Sequence, residues 1–223
     1  MKTLVVAPHP DDELLGCGGM LLRRIREGGV VAVVLMTEIS ERLGWDKSTV
    51  HGRMLEIDRV REGLGVSAEN HFRLGYPTAR LDTVPMGDLI AKLSSIIQQF
   101  APEELLLPYG GDVHSDHRVA FNVGVACSKW FRYPTITRVM TYETPSETDF
   151  CIDTDASGFK PNLFINIEEE MSRKLDLIDI YRSEVGRFPF PRSTEAFSAL
   201  AQVRGAQSGF KYAEGFMILR ERS

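Results

Sequence analysis

The sequence predicts an α/β fold, a doubly wound, mostly parallel sheet flanked by helices, formed by a single domain over residues 1–223. Three observations carry this. Strand-type and helix-type patterns alternate along the whole chain. The strand-type runs are apolar at consecutive positions, as in strands covered on both faces. No repeat, low-complexity tract or shift in composition marks a second domain, and 223 residues suit one large one.

Leu4 to Pro8 reads as the first buried strand, and Leu14 to Arg26 as the helix behind it, ended by Gly28-Gly29. Val30 to Met36 is a continuous, mostly β-branched run, typical of a strand buried on both faces. The polar stretch from Glu38 to Thr49, which contains Trp45, is longer than most such connections and marks a candidate lid or substrate loop. Arg53 to Leu64 has helical period and closes at Gly65, Phe72 to Tyr76 is a short strand, and Met86 to Phe100 is a helix stopped ahead of Pro102. Leu105 to Leu107, capped by Pro108, forms a fourth buried strand. The loop from Tyr109 to Asp116 then leads into a helix from His117 to Phe131, and Thr135 to Tyr142 alternates like a strand. Beyond this the pattern weakens. It gives a strand at Leu163 to Ile167, a helix at Glu168 to Tyr181 and a loop rich in Pro and Phe at Arg187 to Arg192. A helix at Thr194 to Gly205 and a closing strand at Phe216 to Leu219 follow.

Composition narrows the partners. Hydrophobic residues make up 43% and charged residues 26%, which is ordinary for a globular chain. The formal charge of −5, with no local basic cluster, speaks against nucleic acid and anionic membrane as partners. No apolar run approaches the roughly 20 residues that span a bilayer. The short stretch Leu4 to Ala7 runs straight into charged residues, unlike a secretory leader. Cys17, Cys127 and Cys151 are odd in number and widely spaced, which fits reduced thiols in a cytoplasmic protein and excludes a cysteine zinc site. Self-association into a homo-oligomer is left open.

Two histidine and carboxylate clusters carry the chemistry. One is His9-Pro10-Asp11-Asp12-Glu13, at the carboxyl end of the first strand; the other is His114-Ser115-Asp116-His117, past the end of the fourth. In a sheet whose order reverses beside strand one, these strands are neighbours, and ligands bind outside their carboxyl ends. His9, His51, His114 and His117, four of the five histidines, then fall at or near that end. His9, Asp12 and His117 offer two imidazoles and one carboxylate with a position left for water, the ligand count of a catalytic zinc; Fe(2+) takes a similar triad, so the metal stays open. Asp11 then points elsewhere, free to accept a proton from water. His114 stands where it polarises a carbonyl oxygen or protonates a leaving amine, and Asp116 holds its tautomer. Read singly, each of these residues also fits a helix cap or a surface position. The run Gly16-Cys17-Gly18-Gly19 fails as a dinucleotide fingerprint, because Leu21 stands where the third glycine belongs; close approach of the helix to the sheet or a ligand explains it better.

At these residues the chain resembles the PIG-L/LmbE-like family of metal-dependent de-N-acetylases. The family's first signature stands as Pro8-His9-Pro10-Asp11-Asp12-Glu13 and its second as His114 to His117. Weaker echoes are Arg53-Met54-Leu55-Glu56 with Leu64-Gly65-Val66, then Leu74-Gly75-Tyr76-Pro77, and Tyr212 to Phe216. The resemblance implies a Rossmann-like fold and zinc-dependent removal of the N-acetyl group from an N-acetylglucosamine-type sugar conjugate, releasing acetate and a free amine. It implies His9, Asp12 and His117 as zinc ligands and Asp11 as general base. His114 becomes acid or electrostatic stabiliser with Asp116 orienting it, and Arg53 the contact to the sugar. On the residues alone, Arg53 is equally a helix-surface arginine paired with Glu56 or Glu62. The small-molecule sugar conjugate is the implied partner. Thr78-Ala79 stands where the family often has Asp or Gly, which leaves the substrate's other half open.

Three readings compete: this deacetylase, a metallohydrolase of another amide or ester, and a sugar-binding module that keeps the fold. A two-metal phosphoesterase needs more carboxylate ligands than are visible. A binding module suits a degraded ligand set, and this one is intact. Phe188 and Phe190 either stack on a sugar or pack a core edge or subunit interface.

Overall fold

The computed structural model describes residues 1–152 and 158–223. Among them seven strands form one sheet: β1 (Lys2–Ala7), β2 (Val30–Glu38), β3 (His71–Pro77), β4 (Glu104–Pro108), β5 (Arg138–Tyr142), β6 (Leu163–Asn166) and β7 (Ala213–Glu221). Their order is β3-β2-β1-β4-β5-β7-β6, and every pair from β3 to β5 is parallel. β7 runs antiparallel between β5 and β6. The order reverses beside β1, as the alternating pattern predicts, so β1 and β4 are hydrogen-bonded neighbours with Leu4 opposite Leu105.

The continuous apolar strands have a direct cause. Val5 and Ala7 of β1 join a core on one face with Val31, Val33 and Leu35 of β2. Leu4 and Val6 join a second core on the other face with Ala32, Val34 and Met36. The first core is covered by α1 (Asp12–Arg26), α2 (Lys47–Leu64), α5 (Met171–Ile178) and α6 (Thr194–Ser208) through residues such as Leu21, Leu64, Leu177 and Phe197. The second is covered by α3 (Met86–Phe100) and α4 (Ser115–Ala126) through Leu93, Ile97 and Val123. No helix among the described residues is long and apolar enough to cross a membrane.

Two boundaries differ most from the sequence reading. α2 starts at Lys47 rather than Arg53, with Asp46 as its N-cap accepting from Thr49 N at 2.9 Å. Its first turns bury nothing, so no apolar period announces them; Ile57, Val60 and Leu64 are its buried residues. The expected lid loop thereby shortens. α4 ends at Ala126, and Trp130 and Phe131 stand exposed beyond it instead of continuing the helix.

α1 breaks at Cys17, where φ is −143° and ψ is 16°. The N–H groups of Gly19 and Met20 donate instead to the Glu214 carboxylate, both at 2.7 Å. Lys174 Nζ completes the repair, bonding Glu214 at 2.7 Å and the Leu15 carbonyl at 3.0 Å. The glycines permit the close approach: a Cβ at Gly16 would lie 2.2 Å from the Tyr142 ring. This buried ion pair seats the start of α1, and with it the first cluster, against the sheet.

Candidate metal centre and active-site cavity

The first cluster leaves β1 in a sharp turn. His9 N donates to Asp12 Oδ2 at 2.8 Å, and Asp11 takes a φ of 141°, a conformation that L side chains rarely adopt. The turn sends the Asp11 carboxylate to Arg192 and the Asp12 carboxylate toward His117. Asp12 is fully buried, and His117, from the first turn of α4, is buried against it.

One ligand atom from each of His9, Asp12 and His117 falls within 4.8 Å of the others. His9 Nδ1 and His117 Nε2 each lie 3.3 Å from Asp12 Oδ2. Asp12 Oδ1 and His117 Nε2 are buried and have no hydrogen-bond partner among the described residues. Buried polar atoms are rarely left so. Two imidazoles and a carboxylate whose ligand atoms lie this close, with two buried polar atoms left unpartnered, fit a divalent cation of the zinc type.

The outward nitrogens are both bound to carboxylates. His117 Nδ1 lies 2.8 Å from Asp112 Oδ2, and Asp112 Oδ1 accepts from the Thr148 hydroxyl at 2.6 Å. His9 Nε2 lies 3.0 Å from Asp116 Oδ2, and the Asp116 carboxylate also accepts N–H bonds from Ala79 at 2.7 Å and Leu81 at 2.9 Å. Such carboxylates fix the ring and raise its basicity. Burial lowers the pKa of both imidazoles, but for His9 the bonds to Asp116 and Asp12 outweigh it and raise the value to about 9. For His117 the charge of Asp12 and the bond to Asp112 raise it to about 10. Burial works to raise Asp12, yet the charge of His117 holds it well below the usual carboxylate range. The cluster is therefore built to hold positive charge.

The sequence reading gives the Asp116 carboxylate to His114. In the structure that carboxylate serves His9, and the backbone N–H of Asp116 donates to His114 Nδ1 at 3.1 Å. With Nδ1 accepting, His114 carries its proton on Nε2. Burial lowers its pKa, and the charge on His9 adds to this, so the ring is neutral near pH 7.

These residues meet a cavity of about 610 Å³ lined by His9, Asp11, His114, Arg53, Trp45 and Arg192 among others. Asp11 Oδ2 accepts from Arg192 Nη1 at 2.9 Å. Burial raises Asp11 well above the carboxylate range, the charge of Asp12 adds to that, and Arg192 opposes it. Arg53 pairs with Glu184 and lies 3.7 Å from Glu56, not with Glu62; its Nη1 has no hydrogen-bond partner among the described residues. His51 is exposed on α2 and is not among the cavity's lining residues. Phe188 and Phe190 are exposed and do not line it either.

Sequence reasoning missed Asp112, Arg192, Glu147 and Glu184. Asp112 lay inside the loop already singled out after β4, and Arg192 at the end of the Pro- and Phe-rich loop, so position flagged both without giving either a role. Arg192 also bonds Ser146 Oγ at 2.7 Å and pairs with Glu147 and Glu184.

The PIG-L family model, described as GlcNAc-PI de-N-acetylase, matches residues 4–128. A diacetylchitobiose deacetylase from Thermococcus kodakarensis is 28% identical over 241 residues, covering 98% of this chain and 83% of that protein. A probable N-acetyl-alpha-D-glucosaminyl L-malate deacetylase 2 from Bacillus cereus is 26% identical over 192 residues, covering 81% of this chain and 82% of the other. Among solved structures, the conserved protein TT1542 from Thermus thermophilus superposes with a TM-score of 0.77 at 27% identity, covering 96% of this chain and 93% of its own.

Proposed function

This chain belongs to the PIG-L family, and on that premise we propose that it hydrolyses the N-acetyl group of an N-acetylglucosamine-type conjugate to acetate and a free amine, with zinc as its metal. One observation carries the reading: clusters more than a hundred residues apart bring His9, Asp12 and His117 together beside a separate carboxylate, Asp11, in one cavity.

His9, Asp12 and His117 would hold the metal. When bound, a divalent cation there supplies Lewis acidity toward the acetamide and the attacking water. Asp11 takes a proton from that water as its oxygen adds to the acetamide carbon. Burial makes Asp11 a stronger base than a solvated carboxylate, and the bond from Arg192 aims it while opposing that rise. His114 donates its Nε2 proton in a hydrogen bond to the carbonyl oxygen as negative charge develops there; a neutral ring suits that role better than proton delivery. The carbon–nitrogen bond then breaks, and Asp11 returns its proton to the leaving nitrogen. Asp116 holds His9 in place. Arg53 lines the cavity and would contact the sugar.

The test is acetate release from N-acetylglucosamine conjugates by protein stripped of metal and then reloaded. Recovery at one equivalent of zinc is expected. Stoichiometric zinc without acetate would remove the acetyl-sugar assignment and keep the site, and absence of stoichiometric binding would remove the site.

A further inference from the structure

Glu13 is the one acidic residue of the first cluster that the proposed chemistry leaves without a task. It follows Asp12 directly and is buried, yet it belongs to neither group of candidate metal ligands and does not line the cavity. A carboxylate is costly to bury unless its oxygens are used. Both are used here. Oε2 accepts the backbone N–H of Asp11 at 3.1 Å, and Oε1 accepts the hydroxyl of Tyr181 at 3.2 Å. Tyr181 is buried as well and stands outside the cavity lining.

The N–H that Glu13 accepts belongs to the residue whose φ is 141°. A side chain stays in that region only where its surroundings hold it. Asp11 is held at three places. Its carbonyl accepts from the N–H groups of Leu14 and Leu15, both at 2.9 Å, its carboxylate accepts from Arg192, and its own N–H is fixed by Glu13. The two side-chain supports are also tied to each other. The Arg53 guanidinium lies 5.4 Å from the centre of the Tyr181 ring, and Glu184 pairs with both Arg53 and Arg192. A closed ring of contacts therefore runs from the Asp11 backbone through Glu13, Tyr181, Arg53, Glu184 and Arg192 back to the Asp11 carboxylate.

We propose that Glu13, anchored by Tyr181, is a positioning residue that keeps the Asp11 backbone in the turn from which its carboxylate reaches the attacking water; the role of Asp11 as base is taken from the deacetylase reading. Asp11 is also the N-cap of α1, and a glutamate that reaches back to an N-cap N–H serves in other helices as a cap alone. A cap alone supports the helix whatever side chain residue 11 carries, whereas a positioning residue acts through the Asp11 carboxylate.

The test uses the full chain loaded with zinc. Glu13→Leu keeps the bulk and removes both acceptors, and Glu13→Gln keeps a carbonyl for Asp11 and an amide for Tyr181. Glu13→Leu is expected to lower kcat for acetate release by about 10- to 100-fold, with KM and zinc affinity within about threefold of wild type. Glu13→Gln is expected to restore kcat to within about threefold. Tyr181→Phe is expected to lower kcat in the same direction by a smaller factor, and it decides the matter if Glu13→Leu does not fold. In an Asp11→Asn background neither substitution is expected to reduce the residual turnover further. Hydrogen exchange gives a readout apart from activity: the Asp11 amide is expected to exchange at least about tenfold faster in Glu13→Leu and at the wild-type rate in Glu13→Gln. Unchanged Asp11 exchange in Glu13→Leu and Tyr181→Phe, or the same loss of turnover with Asp11→Asn as without it, would overturn the positioning role and leave Glu13 a helix cap. No acetate from the wild-type protein, with Asp11 exchange faster in Glu13→Leu and not in Glu13→Gln, would overturn the deacetylase reading and uphold the hold of Glu13 on Asp11.

Discussion

Asp112→Asn is the sharpest probe of the proposed metal centre, because Asp112 is fully buried and does not line the cavity. Its carboxylate is fully buried and lies 2.8 Å from His117 Nδ1, with Thr148 on its other oxygen. Asparagine keeps the size and one acceptor but removes the charge. Carboxylates behind metal-bound histidines are worth about 10- to 100-fold in metal affinity, which is about 1.4–2.8 kcal/mol. Full burial of both partners places the expected loss toward the upper end. A second consequence concerns pH. In the metal-free protein His117 holds its proton up to about pH 10, largely through Asp12 and Asp112, so zinc must displace that proton at neutral pH. Removing the Asp112 charge lowers this proton affinity, so zinc affinity should depend less steeply on pH between about 7 and 9. The assay is chelator competition at several pH values, with the thermal midpoint measured alongside to confirm folding. Wild-type affinity and an unchanged pH slope in a folded variant would refute the assignment of Asp112 to His117 and of His117 to the metal.

Three further outcomes follow from the same structure. Asp11→Asn should keep stoichiometric metal while kcat falls by about 10²- to 10⁴-fold; near-full turnover with metal bound would remove Asp11 as base. Glu214→Ala leaves the Gly19 and Met20 N–H groups and the Lys174 ammonium buried without their acceptor, and should cost about 3–5 kcal/mol in denaturant unfolding, against a surface-like change if the repair of α1 is unimportant. His71 is held neutral by burial and by Arg73 and Arg61, with its pKa lowered to about 4. The unfolded chain binds a proton below about 6.5 and the folded chain does not, so stability should fall as pH drops from about 6.5 to 4. The loss is about 1–2 kcal/mol after allowing for partial exposure, and His71→Gln should flatten that slope.

The adjacency of β1 and β4 and the meeting of the two clusters were legible because both follow from pattern, whereas the place of β7 between β5 and β6 was not. Apolar runs such as Val30 to Met36 require cover on both faces, alternation with helices requires parallel strands, and reversal beside β1 makes β4 its neighbour. The start of α2 was not legible, because its first turns face solvent and the cavity and so carry no apolar period. The break in α1 was equally silent. Gly16 to Gly19 announced a close approach, but Glu214 as acceptor for the freed N–H groups comes from the far end of the chain, and no local pattern connects them. Arg192 was hidden for a similar reason: its partners Asp11, Glu147 and Glu184 come from separate segments that only the closed fold brings together.

Which carboxylate serves which imidazole was the part of the site that sequence position misassigned, and helix geometry explains it. His114 is the N-cap of α4 and accepts from the backbone N–H of Asp116, while the Asp116 side chain, in the first turn of the helix, faces across to His9 from β1. Asp112, in the loop ahead of α4, curls forward onto His117 instead. The result is a cross-brace. Asp116 from the β4 side holds a histidine of the β1 side, and Asp12 from the β1 side stands against His117 of the β4 side. Each imidazole thus depends on both strand ends, and a displacement of either loop disturbs both at once. That coupling is why the ligand set forms only when β1 and β4 are paired, and why damage to the turn at Asp11 or to the loop at Asp112 should be felt as loss of metal at the whole centre rather than at one ligand.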